Sequence, residues 1–243
     1  MSVLDQSRIP VIIPSYEPNE SLAKLVENLV QENFKSIVVV DDGSGKDYQG
    51  IFDSIKDLGA TVIQHKNNMG KGAALKTAFK YCLENIEGLI GCVTADSDGQ
   101  HSIECIGKCI QALADHPASL VMGSRDFTLP GIPKASIIGN MNTNKIIRHL
   151  YGKDMSDTQT GLRGIPKKLM EECLAIKFDR FEFEIRMLTL ALDSLLEVVD
   201  VPIQTIYDSE KNHATHFRPI KDTIKIYRAI GLWRSLFILI FKK

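Results

Sequence analysis

Ile37-Val38-Val39-Val40-Asp41-Asp42-Gly43-Ser44 is the stretch on which the reading of this chain turns. Four β-branched residues in a row show no alternation between a wet and a dry side. The run therefore predicts a strand buried on both faces, as in a parallel sheet covered by helices above and below. The carboxylates, glycine and serine that follow form a turn and place charge at the strand's carboxyl end. The same pattern recurs in both directions: residues 10–14, 61–64, 89–94 and 120–123 are further short apolar runs rich in Val and Ile. Between them, Leu22, Leu25, Val26, Leu29 and Val30, and later Leu75, Ala78, Phe79, Cys82 and Leu83, keep the spacing of amphipathic helices. The alternation predicts an α/β fold, a Rossmann-like, mostly parallel sheet with helices on both faces. No internal repeat, low-complexity tract or Pro/Gly-rich linker divides it.

Composition agrees. With 243 residues, 44% hydrophobic and 24% charged, the chain falls among soluble globular proteins and outside the disordered, collagenous and multi-spanning membrane classes. Its 29 Lys and Arg against 30 Asp and Glu leave a net charge of -1. That lacks the basic surplus with which a general nucleic-acid binder neutralises phosphates, so no nucleic-acid partner is expected. Residues 1–16 lack the basic start and apolar stretch of a secretory signal, which predicts a cytoplasmic protein. Cys82, Cys92, Cys105, Cys109 and Cys173 include no CxxC pair and read as reduced, mostly buried thiols.

Beyond residue 125 the rhythm changes. Residues 127–134 read as a loop, 136–150 as a helix, 156–164 as a polar glycine-containing segment, 179–195 as a helix, 198–201 as a strand and 207–218 as a polar loop. The first half has the look of a nucleotide-binding unit, and the second of what adapts it to a substrate.

In an open parallel sheet, ligands bind beyond the carboxyl ends of the strands. The segments found there are Pro14-Ser15-Tyr16-Glu17, Asp41-Asp42-Gly43-Ser44, Asn67-Asn68-Met69-Gly70-Lys71-Gly72 and Asp96-Ser97-Asp98-Gly99-Gln100-His101. Any one of them is an ordinary turn; all of them on one edge are a site. Asp96 and Asp98 can face one divalent cation if the backbone turns at Gly99. Such oxygen ligands suit Mg2+ or Mn2+, which share their coordination with substrate phosphates. Gln100 and His101 add neutral groups at the same spot. The plainer alternative is an Asx-turn capping a helix that begins near Ser102. Residues 68–72 open a helix and put backbone N–H groups and Lys71 where an anion is stabilised, or else form a plain cap with a solvated lysine. Asp41 and Asp42 are placed to accept from a base or ribose. Neither P-loop nor GxGxxG spacing occurs.

Taken together, PSY, VVVDDGS, NNMGKGAALKTA, TADSDGQH, GSRD at 123–126 and DTQTGLRG at 157–164 resemble the inverting family-two glycosyltransferases of GT-A fold. The likeness covers roughly residues 9–210 and is greatest to the dolichyl- and polyprenyl-phosphate sugar synthases. It implies a domain over residues 1–210, a GDP- or UDP-hexose as donor, and a polyprenyl phosphate as acceptor. It further implies that Pro14 and Tyr16 frame the base, that Asp42 meets base or ribose, and that Asp96, Asp98 and Gln100 hold the metal and diphosphate. Ser97 would touch the nucleotide through its backbone, and Arg125 would be the active-site arginine. Where the synthases read PxYNE this chain reads PSYEPNE, which leaves the glutamate contact to Glu17, Glu20 or neither. In place of their Arg and GxSK segment it carries Lys211, His213, His216 and Arg218, with His216 and Arg218 the expected donor contacts of a lid.

The expected reaction is in-line displacement at the anomeric carbon. A lipid phosphate is already an anion and needs no base; a saccharide hydroxyl, the rival acceptor, needs one, and Asp157 is the candidate. A catalytically silent nucleotide-sugar binding module is the rival from outside enzymology. Residues 211–243 carry Asp222 alone against eight basic residues, a net +7, with apolar Leu236 to Phe241 at the end. They read as a lid and a basic amphipathic helix, either packed on the domain or lying peripherally on the cytoplasmic face of a membrane.

Overall fold

The computed structural model describes residues 6–129, 132 and 134–204. Strands β1 (Val11–Ser15), β2 (Ile37–Asp41), β3 (Thr61–Gln64), β4 (Gly91–Thr94), β5 (Leu120–Arg125), β6 (Arg163–Pro166) and β7 (Val198–Ile203) form one sheet. Its order is β3-β2-β1-β4-β6-β5-β7. The pairs β1–β2, β1–β4, β2–β3 and β5–β7 are parallel, and β6 alone runs antiparallel, to both β4 and β5. The helices are α1 (Glu20–Gln31), α2 (Gln49–Asp57), α3 (Lys71–Asn85), α4 (Ile103–Asp115), α5 (Lys134–Tyr151), α6 (Lys167–Cys173) and α7 (Glu182–Asp193).

Successive strand residues point to opposite faces, so the apolar runs feed two cores. Ile12, Val38 and Val40 pack with Leu75 and Phe79 of α3 and Phe183 of α7. Val11, Ile13 and Val39 pack with Leu22 and Leu29 of α1, Phe52 of α2 and Ile106 of α4. All five cysteines are buried and unpaired, and burial pushes the Cys82, Cys109 and Cys173 thiols up to about 12.

Each strand expected from an apolar run is present. The strand the reading does not announce is β6, which starts at the end of the polar, glycine-containing segment 156–164. Arg163-Gly164-Ile165-Pro166 has no Val/Ile run to announce it, yet all of it is buried. Being antiparallel, β6 begins where its neighbours end: Arg163 lies opposite Thr94. The loop over residues 157–162 therefore reaches the ligand edge from the opposite direction to the other loops. No helix among the described residues is long and apolar enough to cross a membrane. The expected lid at 207–218, with His216 and Arg218, and the amphipathic helix within 211–243 lie outside the described residues.

Candidate active site

The turns after β2 and β3 are nested. Gly43, at φ +77, lies so close to the Asn67–Asn68 backbone that a Cβ there would overlap it. Asp41 accepts from Ser44 N–H at 2.8 Å and Gln64 Nε2 at 2.9 Å. Asp42 accepts from the N–H groups of Met69 and Gly70 at 2.9 and 2.7 Å and pairs with His65 Nδ1 at 2.8 Å. His65 Nε2 in turn meets Thr77 Oγ1 at 2.9 Å. Asp42 is 3% exposed. The resemblance gave it a nucleotide contact; in the structure its carboxylate caps the start of α3, where Gly70 has no side chain to do so. His65, the residue that completes this anchor, carries no signal in sequence.

Pro14 is buried in β1 opposite Val40. Tyr16 is half-buried, and a hydrogen bond with Glu17 is the first cause that raises its hydroxyl above the ordinary value. Glu17 is exposed and takes a left-handed backbone, φ 49, rare for a residue with a side chain. Its N–H donates to Ser44 Oγ at 2.9 Å, which ties the first strand's turn to the second's.

Asp96 leaves β4 into a cluster of charges. Its Oδ1 accepts from Lys71 Nζ at 2.7 Å, and His101 Nε2 stands 3.5 Å from Oδ2. Lys71 Nζ also meets Glu184 Oε2 of α7 at 2.9 Å. Burial by itself would raise the Asp96 carboxyl, but Lys71 foremost, with His101, holds it well below the carboxylate range. Burial would likewise lower the Lys71 ammonium, and Asp96 and Glu184 outweigh it and raise it. Of the two readings of Lys71, an anion-binding group or a solvated lysine at a plain cap, the second does not describe it: its ammonium pairs with two carboxylates. Glu184 is a site residue that sequence reasoning missed. Gly161 is another: any Cβ there would overlap the Asp96 carboxylate, and its carbonyl accepts from Thr94 Oγ1 at 2.8 Å.

Asp98 forms the expected Asx-turn, Oδ1 accepting from Gln100 N–H at 3.0 Å, with Gly99 at φ +77. The cap of α4 is a different residue, Ser102, whose Oγ accepts from Cys105 N–H. The Asx-turn is thus present, but the helix cap that was to go with it is supplied by Ser102. Desolvation first, and then the charge of Asp96, raises the Asp98 carboxyl. Ser97 and Gln100 are half-buried beside it. Two neighbouring carboxylates and an amide oxygen in one turn fit a hard divalent cation. No group of three His, Cys, Asp or Glu side chains among the described residues could hold one unaided. Coordination completed by a ligand's phosphates suits such a cation.

At the end of β5, Arg125 forms a bidentate pair with Asp157: Nε to Oδ2 at 2.6 Å and Nη2 to Oδ1 at 3.1 Å. The backbone N–H groups of Arg125 and Gln159 add two more donors to Asp157, at 3.4 and 2.9 Å. The Asp157 side chain has 0% exposure and that of Arg125 15%, with the guanidinium 5.0 Å from the Phe127 ring centroid. A carboxylate so enclosed and so paired is not placed to take a proton from a hydroxyl. The Asp157 carboxylate thus faces Arg125 and not solvent. The loop around it is held from two sides. The buried guanidinium of Arg163 donates to the carbonyls of Thr160, Glu184 and Thr158. Asn140 of α5 donates to Ser156 O and accepts from Thr158 N–H and Oγ1, each at 3.0 Å.

With this geometry in hand, known proteins locate the chain. Residues 11–174 match the model of glycosyl transferase family 2. A UDP-N-acetylglucosamine–dolichyl-phosphate N-acetylglucosaminyltransferase of Methanococcus voltae is 31% identical, over 82% of this chain and 86% of that one. Among solved structures, mannosyl-3-phosphoglycerate synthase from Rubrobacter xylanophilus superposes with a TM-score of 0.69 at 15% identity, covering 98% of this chain and 80% of that one. Glucosyl-3-phosphoglycerate synthase from Mycobacterium tuberculosis, in complex with Mn2+, UDP and glucosyl-3-phosphoglycerate, does so at 0.63 and 16%, covering 91% and 76%. The sheet with its one inverted strand is the GT-A fold, and the chain belongs to glycosyl transferase family 2, as a glycosyltransferase.

Proposed function

We propose that this enzyme moves a sugar of the hexose class from a UDP-sugar to a polyprenyl phosphate of dolichyl type, with inversion and with a divalent metal ion. The observation that carries the choice of acceptor is the Arg125–Asp157 pair. It offers a fixed cation and no accessible base, as suits an acceptor whose oxygen is already anionic. The Methanococcus voltae relative supports the same acceptor and makes UDP-N-acetylglucosamine the first donor to try. The rival acceptor, a saccharide hydroxyl, loses its candidate base with the burial of Asp157.

In this reading Asp96, Asp98 and Gln100 hold Mg2+ or Mn2+, as Mn2+ is held with UDP in the mycobacterial neighbour's complex. When bound, the cation supplies Lewis-acid charge to the leaving diphosphate. Lys71, clamped by Glu184, orients Asp96. Tyr16, Glu17 and the backbone of Ser97 line the nucleotide's place beside Pro14, and Asp42 and His65 hold the loops that frame it. Arg125, kept in one orientation by Asp157, stabilises negative charge where sugar passes between two phosphates. The test is transfer of labelled sugar from UDP-N-acetylglucosamine, with Mn2+, to dolichyl phosphate. Label should pass into the organic phase as an inverted, β-linked monophosphate. Label found only on a saccharide hydroxyl, or with retained configuration, would refute the proposal.

A further inference from the structure

The loop over residues 157–161 joins the two ends of the site. Asp157 holds Arg125, and Gly161 lies against the Asp96 carboxylate. Between them the side chains alternate. Thr158 and Thr160 turn inward, each 2% exposed; the Thr158 hydroxyl donates to Asn140 Oδ1, and that of Thr160 accepts from Leu162 N–H. Gln159, in the middle, is the only one of the five residues that is not buried. At most about 7 Å of chain separates it from Asp157 on one side and from Gly161 on the other. Its N–H donates to the same Asp157 Oδ1 that accepts from Arg125 Nη2.

The Gln159 side-chain amide has no hydrogen-bond partner among the described residues; only the backbone N–H is engaged. Gly139 of α5 shows which way that amide faces. A Cβ on Gly139 would stand 3.1 Å from both Nε2 and Oε1 and 3.5 Å from Cδ. Both polar atoms are nearer than the carbon, so the polar edge of the amide faces that point, and the lack of a side chain at Gly139 keeps it clear. Glycine is a poor helix residue, and α5 carries it where a methyl group would cap the amide. A donor and an acceptor presented to one space select what enters it. A phosphate offers acceptors alone and would be repelled by Oε1, and Arg125 and the cation already serve the phosphates of the reaction. A hydroxyl or acetamido group both donates and accepts, and satisfies the two atoms together.

We propose that Gln159 binds the donor's sugar: its side-chain amide hydrogen-bonds a hydroxyl or acetamido group of the hexose held between the cation and Arg125, and Gly139 keeps the approach open. This role rests on the glycosyl-transfer reading above and adds to it a residue that touches the sugar and neither phosphate. The experiment is calorimetric titration of the full chain, with Mn2+, by UDP, UDP-N-acetylglucosamine and UDP-glucose. Gln159→Leu should bind the UDP-sugar that the wild type binds more tightly about tenfold more weakly, while its affinity for UDP stays within about twofold. Gly139→Ala should show the same selective loss at a melting temperature no lower than the wild type's, since alanine favours the helix. Equal losses for UDP and the UDP-sugar, or no loss for either, would overturn the proposal. So would an unchanged UDP-sugar affinity with a raised KM for dolichyl phosphate, which would set Gln159 against the acceptor. A wild type that binds none of the three ligands overturns the glycosyl-transfer reading and this role with it, whereas unselective variants of a wild type that binds them overturn this role alone.

Discussion

Along β1 to β4 the polar groups at the sheet's edge hold one another across elements: Asp42 with the start of α3, Lys71 with Asp96 and Glu184, Glu17 with Ser44. Along β5 to β7 the polar groups turn inward to fix a single loop, through Arg163, Asn140 and Asp157, while α5 leaves apolar residues in solvent. The difference matches the two substrates of the proposed reaction. A nucleotide diphosphate is small, charged and needs many fixed polar contacts; a lipid phosphate needs one fixed cation and an apolar approach.

Substitutions on the two sides should separate these roles. The largest effect belongs to Asp98→Ala, which should cut turnover by about a thousandfold and remove the Mn2+ dependence of UDP binding in a thermal-shift titration. Gly161→Ala should follow at about a hundredfold, because its methyl displaces the Asp96 carboxylate while the fold's melting temperature changes little. Glu184→Gln leaves Lys71 to Asp96 alone and should weaken Mn2+ affinity, measured by electron paramagnetic resonance in the presence of UDP, by about tenfold. If that affinity does not move, the clamp on Lys71 is structural only. The smallest effect is on the thiols. Cys82, Cys109 and Cys173, raised to about 12, are roughly one part in ten thousand thiolate at about pH 8. Iodoacetamide should leave them untouched in the folded protein and label them in urea.

The donor side was legible in sequence because its parallel strands announce themselves by Val/Ile runs and deliver their turns to a known edge. Asp96, Asp98 and Gln100 could be placed at that edge from spacing. The acceptor side was not, for physical reasons. Arg163-Gly164-Ile165-Pro166 is a strand without a strand's composition, stabilised by pairing on both sides and by carbonyls around a buried guanidinium. Glu184 reaches Lys71 across the fold, from a helix more than a hundred residues away in sequence. Gly161 matters for what it lacks, a Cβ beside Asp96. Asp42, Lys71 and Asp157 were found as charged residues at the right edge, but their partners, which decide whether a charge faces the ligand or the protein, appear only in three dimensions.

The central claim, that the acceptor brings its own nucleophile and Asp157 only holds Arg125, is tested most directly by Asp157→Asn assayed with dolichyl phosphate. The amide keeps one acceptor for Arg125, so turnover should fall by about tenfold, with the shape of its pH profile unchanged from about pH 6 to 8. Loss of turnover by about ten thousandfold, together with the disappearance of an acidic limb from that profile, would contradict the claim and restore Asp157 as a general base.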